Sequence, residues 1–184
     1  MAGPADLFNL ADELLSFAAE ALDTIPTFTG LEDLDGAPVR QVVTVGLPVD
    51  DCDQLSVYVP VIGEAGTTPG GLGAAARPRA GRLDHTSLNI RIIRCCMPIG
   101  AESSSGDYSS PTVQQLSAAG QQIYADGWAL WNHLHNVKAS GHFLTLCDEM
   151  FFDGIVPVTP SGACGGWVMF TRAQLDGYTE MLGS

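Results

Sequence analysis

Positive charge is what this chain has least of. Eight Lys and Arg stand against 21 Asp and Glu, a formal net charge of −13, and Lys138 is the single lysine. Phosphate contacts need Lys and Arg, so a protein that grips nucleic acid is excluded. Charge of either sign is scarce, at 16% of residues against roughly 25% in an average globular chain. The apolar share is 46%, which excludes disorder, since that combines high charge with low hydrophobicity. No run approaches the roughly 20 apolar residues of a membrane-spanning helix. The opening MAGPADLFNLADELLSF has no basic residue ahead of its apolar stretch. It does not read as a secretory signal, and folding in a cytoplasm is the expectation. The length suits one domain over residues 1–184 with one core.

CxxC pairs are also missing, which weakens any case for a structural zinc site. Five cysteines are present (Cys52, Cys95, Cys96, Cys147 and Cys164). Two readings stay open for them: buried free thiols that pack as small hydrophobes, or one disulfide formed in an oxidising exterior.

The apolar spacing predicts an amphipathic helix over 5–22, through Leu7, Leu10, Leu14, Phe17 and Ala21. Asp6 in its first turn suits the helix dipole, and Ile25-Pro26 ends it. An acidic connector over 23–39 follows. Eight acids precede Arg40, the first basic residue. Strands are predicted at 39–47, 54–62 and 88–97. The second alternates Leu55, Val57, Val59 and Val61 against polar neighbours, as a strand with one buried face does. Pro48-Val49-Asp50-Asp51 reads as a turn.

Residues 63–84 are too long for a hairpin loop and hold Arg77, Arg79 and Arg82. Either this is an arm that orders on a partner, or an insertion without consequence. After a Ser- and Gly-rich loop, Ser110-Pro111 marks a helix start. The predicted helix runs to about Lys138, with Val113, Leu116, Ile123, Gly127, Leu130 and Leu134 on one face and Gly141 as its stop. Gly120 and Gly127 weaken it, so both are expected where something packs closely. Trp128 and Trp131, at i and i+3, are expected in the core. Strands at 154–159 and 167–171 flank a turn at 160–162. The whole is an α+β domain: a helix, three strands, a long helix and a two-stranded ribbon.

Patterns that carry chemistry are few. Gly70-Gly71-Leu72-Gly73 lacks the lysine of a phosphate loop. His133 and His135 point some 200° apart on a helix and cannot share a metal there. A nucleophilic pair of Cys164 with His85 or His142 would need a stabilised thiolate, which this acidic chain disfavours. Asp50, Asp51 and Asp53 lack the spacing and glycine of a calcium loop.

Three segments, in order, resemble a known family. They are Asp51-Cys52-Asp53-Gln54-Leu55-Ser56-Val57, the run Asn89–Pro98 around Arg94-Cys95-Cys96, and Gly162-Ala163-Cys164-Gly165-Gly166-Trp167. The chain resembles, over about residues 5–172, the tail terminator or neck-type head-to-tail connector proteins of long-tailed phages infecting actinobacteria. The motif residues are Gln54, Leu55, Gly165, Gly166 and Trp167.

The resemblance implies a mixed or antiparallel sheet of about five strands, flanked by an N-terminal helix and one long central helix. It implies a virion protein of the tail or neck, with no catalytic site, cofactor or metal. Such proteins form a homo-oligomeric ring, usually a hexamer, on the head-proximal end of the tail tube. The ring meets the major tail tube protein on one side and the head-to-tail stopper or connector on the other, and DNA passes through its lumen. Acids facing that lumen would repel phosphates and let DNA slide. The arginines of the arm, Arg77, Arg79 and Arg82, are then expected at a subunit or partner interface. A Cys52–Cys164 or Cys96–Cys164 bridge becomes available in a particle outside the cell. A head-completion stopper is the near alternative, and a small cysteine-dependent hydrolase the distant one.

Overall fold

The computed structural model describes residues 4–25, 37–38, 40–48, 53–60, 86–94, 113–161 and 164–174. The arm arginines expected at a subunit or partner interface, Arg77, Arg79 and Arg82, and the cysteines Cys52, Cys95 and Cys96 lie outside them.

The leucine periodicity of the N-terminus forms helix α1, Pro4–Asp23. Leu10, Leu14 and Leu22 on its inner face are fully buried. The Thr24 hydroxyl closes its end by donating to the Ala21 carbonyl at 2.7 Å. The sheet has strands β1 (Arg40–Val45), β2 (Gln54–Val59), β3 (Thr86–Arg94), β4 (Glu149–Ser161) and β5 (Cys164–Gln174). Their order is β1-β2-β3-β5-β4. Every pair is antiparallel except β1 with β2, so the sheet is mixed. Helix α2 (Val113–Ala139) and a short 3-10 helix (His142–Thr145) complete the described elements. Gly141, at φ +78°, stops α2 as a left-handed residue does.

Both helices pack on one face of the sheet, α1 over β1, β2 and β3, and α2 over β4 and β5. Alternate strand residues point to that face. Leu55, Val57, Val59, Leu88, Ile90, Ile92 and Met169 meet Leu10, Leu14, Leu130 and Leu134 there in one core.

β1 and β2 run parallel, with Arg40 opposite Gln54. Gly46 just after β1 has φ +83°, and Asp53 just before β2 has φ +56°, left-handed positions that Gly and Asp tolerate better than most residues. Most of the predicted turn at 48–51 lies outside the described residues. Three sequence expectations change. First, β2 is buried on both faces: Gln54, Ser56 and Tyr58 are buried along with Leu55 and Val57. Alternation identified the helix-facing side, but a polar side is not always a wet one. Second, Val113 and Leu116 are exposed, as is Trp128 at 59%. The buried face of α2 runs instead through Ala119, Gln122, Asp126, Leu130 and Leu134, nearly successive i+4 steps. Third, Gly120 has nothing within 4 Å of a Cβ placed on it, whereas Gly127 is crowded as expected. The C-terminal ribbon forms as read, but longer, with Ser161 opposite Cys164 where the hairpin closes.

Candidate functional site

The segments that carry the family resemblance converge. Gln54 lies opposite Ile93, Ile93 opposite Gly166, and Arg94 opposite Gly165. The start of β2, the end of β3 and the start of β5 thus lie together at one end of the three central strands, with α2 across them.

At this end of the central strands is a buried ion pair. Arg94 Nε donates to Asp126 Oδ2 at 3.1 Å, and Arg94 Nη2 donates to Oδ1 at 3.2 Å. The guanidinium and carboxylate meet edge to edge, the geometry that Arg supports and Lys does not. Gln122 Nε2, one helical turn before Asp126, adds a third hydrogen bond at 3.0 Å. Arg94 Nη1 also lies 3.6 Å from Asp53 Oδ1. Side-chain exposure is 1% for Arg94 and 0% for Asp126. Burial pushes the Asp126 carboxyl above its ordinary range, against the pull of Arg94 and Gln122 in the other direction. A pair like this gains little net stability over apolar residues of the same size, but breaking it by removing one partner is costly.

Beside the pair, glycines let the layers close. A Cβ on Gly127 would stand 2.7 Å from the Trp167 ring, and one on Gly165 would stand 2.9 Å from Ile123 Cδ1. The Trp167 indole N–H donates to the Ile123 carbonyl of α2. Trp167→Phe is expected to lower stability by about 1–2 kcal/mol through loss of that hydrogen bond. Urea unfolding of the two proteins checks it, and unchanged midpoints would count against the bond.

The outer side of this contact is an apolar cleft of about 250 Å³, lined by Tyr124, Gly127, Trp128, Trp131, Ile155 and Trp167. All three tryptophans of the chain line it. Its lining is almost wholly carbon, so it offers stacking and contact rather than proton transfer.

The remaining sequence candidates separate. His133 Nε2 faces Glu20 of α1 at 3.6 Å. His135 Nδ1 lies 2.8 Å from the Trp131 carbonyl, with its ring beside Trp131 and Phe152. The two histidines therefore serve different contacts. His142 packs edge-on against Phe17, 4.9 Å between centroids. Cys164 is disulfide-bonded, to a cysteine outside the described residues, so it holds no free thiol for a Cys–His pair. Cys147 is free and buried, and burial pushes its thiol up to about 11. That direction opposes the thiolate. Asp53 leans toward Arg94, while Asp50, Asp51 and His85 lie outside the described residues. Among the described residues no group of three or more His, Cys, Asp or Glu could hold a metal ion. No described helix is long and apolar enough to cross a membrane.

Sequence reasoning missed Asp126 and Gln122. A signal was there: both occupy the stripe of Leu130 and Leu134 at i+4 steps, where an acid has no place unless paired. No protein-family model, no curated protein and no solved structure matches this chain.

Proposed function

We propose that this chain is the subunit of a virion ring that caps the head-proximal end of a phage tail tube. The ring stops tube polymerisation and joins the tube to the head connector. The observation that carries the reading is the set of large apolar side chains left on the outer surface. Val113, Leu116, Tyr124 and Trp128 are exposed along α2, and Val156 and Phe170 are exposed on the sheet. Surfaces of this kind mark protein contacts. The five-stranded mixed sheet under two helices is the architecture that the family resemblance implies. The acidic outer side of α1, with Asp12, Glu20 and Asp23 exposed or half-exposed, suits a protein that surrounds DNA without holding it.

Electron microscopy of the purified protein, alone and with tail tubes, tests this. The expected result is closed rings with a hole about one DNA duplex wide, seated on one end of the tube. A protein that stays monomeric and leaves tube ends bare would overturn the proposal. Rings that bind the isolated head connector but not the tube would favour the stopper alternative.

A further inference from the structure

We propose that the tryptophan cleft is the receptor for the arginine-bearing segment of a second copy of this chain. The inference rests on the ring reading above and names the contact that would close the ring.

The cleft defines what it can take. Tyr124 and Trp128 present exposed rings at 65% and 59%, and Gly127 leaves room between the aromatic walls. The Trp167 indole N–H is already committed to the Ile123 carbonyl. A sugar or nucleotide would bury hydroxyls and phosphates against this carbon lining without partners, at a cost that apolar contact does not recover. Two kinds of group gain instead. A guanidinium stacks on indole faces, held by the ring quadrupole. Proline-containing extended chain fits aromatic-lined grooves with little ordering entropy left to lose.

One segment of this protein combines both. Residues 65–83 contain Arg77, Arg79, Arg82, Pro69 and Pro78, with no acid among them. Arg77-Pro78-Arg79 sets two guanidinium groups about a fixed proline. The rest of the chain carries all 21 acids and only five basic residues. The segment is therefore the natural electrostatic complement of another copy's surface.

Reach is sufficient. Residues 60–85 connect Val59, the end of β2, to Thr86, the start of β3. Fully extended, that length spans up to about 90 Å. The cleft begins at Trp167, opposite Ile92, about 20 Å along β3 from Thr86. A segment leaving one end of the sheet and a receptor near the other make a head-to-tail contact, the type that closes rings when repeated.

The test uses the full chain and a synthetic peptide of residues 65–83. Titration is followed by tryptophan emission, since the three reporters all line the cleft. Saturable binding is expected. It should weaken about tenfold or more when the three peptide arginines become alanine, the factor that about 1.4 kcal/mol of stacking gives. Trp128→Ala should weaken it likewise, with circular dichroism unchanged because that side chain is exposed. Analytical ultracentrifugation should show the R77A/R79A/R82A chain losing the assembly that the unaltered chain forms. Absence of peptide binding overturns the inference. So does a triple variant that assembles normally, and in that case the ring reading stands. A chain that is monomeric at every concentration, yet changes its tryptophan emission in the triple variant, would place the segment in its own cleft and overturn docking between copies. Failure of the unaltered chain to form rings on tube ends counts against the ring reading, and the peptide titration still decides the cleft.

Discussion

Gly166→Ala should leave little or no folded protein. A Cβ at this position would stand 1.8 Å from the carbonyl oxygen of Ile92 and 2.8 Å from its carbonyl carbon. Both are backbone atoms of β3, the strand paired with β5. A flexible side chain could turn away, but a strand in mid-sheet cannot, so the pairing itself must open. The expected loss exceeds about 4 kcal/mol, set against a total stability of about 5–15 kcal/mol for a domain. Soluble yield and urea midpoints read the effect. Gly120→Ala is the matched control. It lies inside α2 with open space around it, and alanine should raise stability by up to about 1 kcal/mol. Equal midpoints for Gly166→Ala and the unaltered protein would mean that β3 and β5 are not paired in this register.

Arg94→Met should cost about 3–5 kcal/mol, because it strands the Asp126 carboxylate in the interior. The double variant Arg94→Met with Asp126→Leu should recover most of that loss, since the fully buried carboxylate is then gone and Asp53, the other acid facing Arg94, is 32% exposed and can be hydrated. The two results together separate a missing counter-charge from mere loss of packing. If the double variant is as unstable as the single one, packing explains both.

The pH dependence has a definite sign. Burial raises the Asp126 carboxyl even with Arg94 in place, and removing the guanidinium removes the largest opposing cause. In Arg94→Met the folded state then binds a proton more tightly than the unfolded state does. Stability relative to the parent therefore rises as pH falls through the raised folded value toward the ordinary value of 3.8. Above the raised value the full penalty is present. The difference between variant and parent midpoints should narrow between neutral pH and about pH 4. A difference that stays constant over that range would mean that Asp126 does not titrate in the variant.

Several features were legible because they are local. Leucine spacing in α1 gives a buried stripe through Leu10 and Leu14. Gly141 after Lys138 ends α2 by its left-handed backbone. Gly127, a poor helix residue in an otherwise strong pattern, marks the place where Trp167 comes close. The site was less legible. Asp126 and Arg94 are 32 residues apart, and neither residue's own neighbourhood shows that they will meet. Trp128 and Trp131 share a helix and similar chemistry, yet Trp131 packs against the core while Trp128 stands in the open. Which side of α2 faces the sheet depends on how closely β5 can approach, and Gly127 and Gly165 set that distance.

The sequence by itself determined where the described helices and strands lie and which side of α1 turns inward, because hydrophobic periodicity acts between residues one to four apart. It also determined the uneven charge, with acids crowded before Arg40 and three arginines in one segment. Only the tertiary structure decided that β1 runs parallel to β2, that Asp126 is buried against Arg94, and that three tryptophans line one cleft. Each of these depends on pairing between distant stretches of chain. Such pairing is chosen by packing and desolvation across the whole core rather than by any local preference.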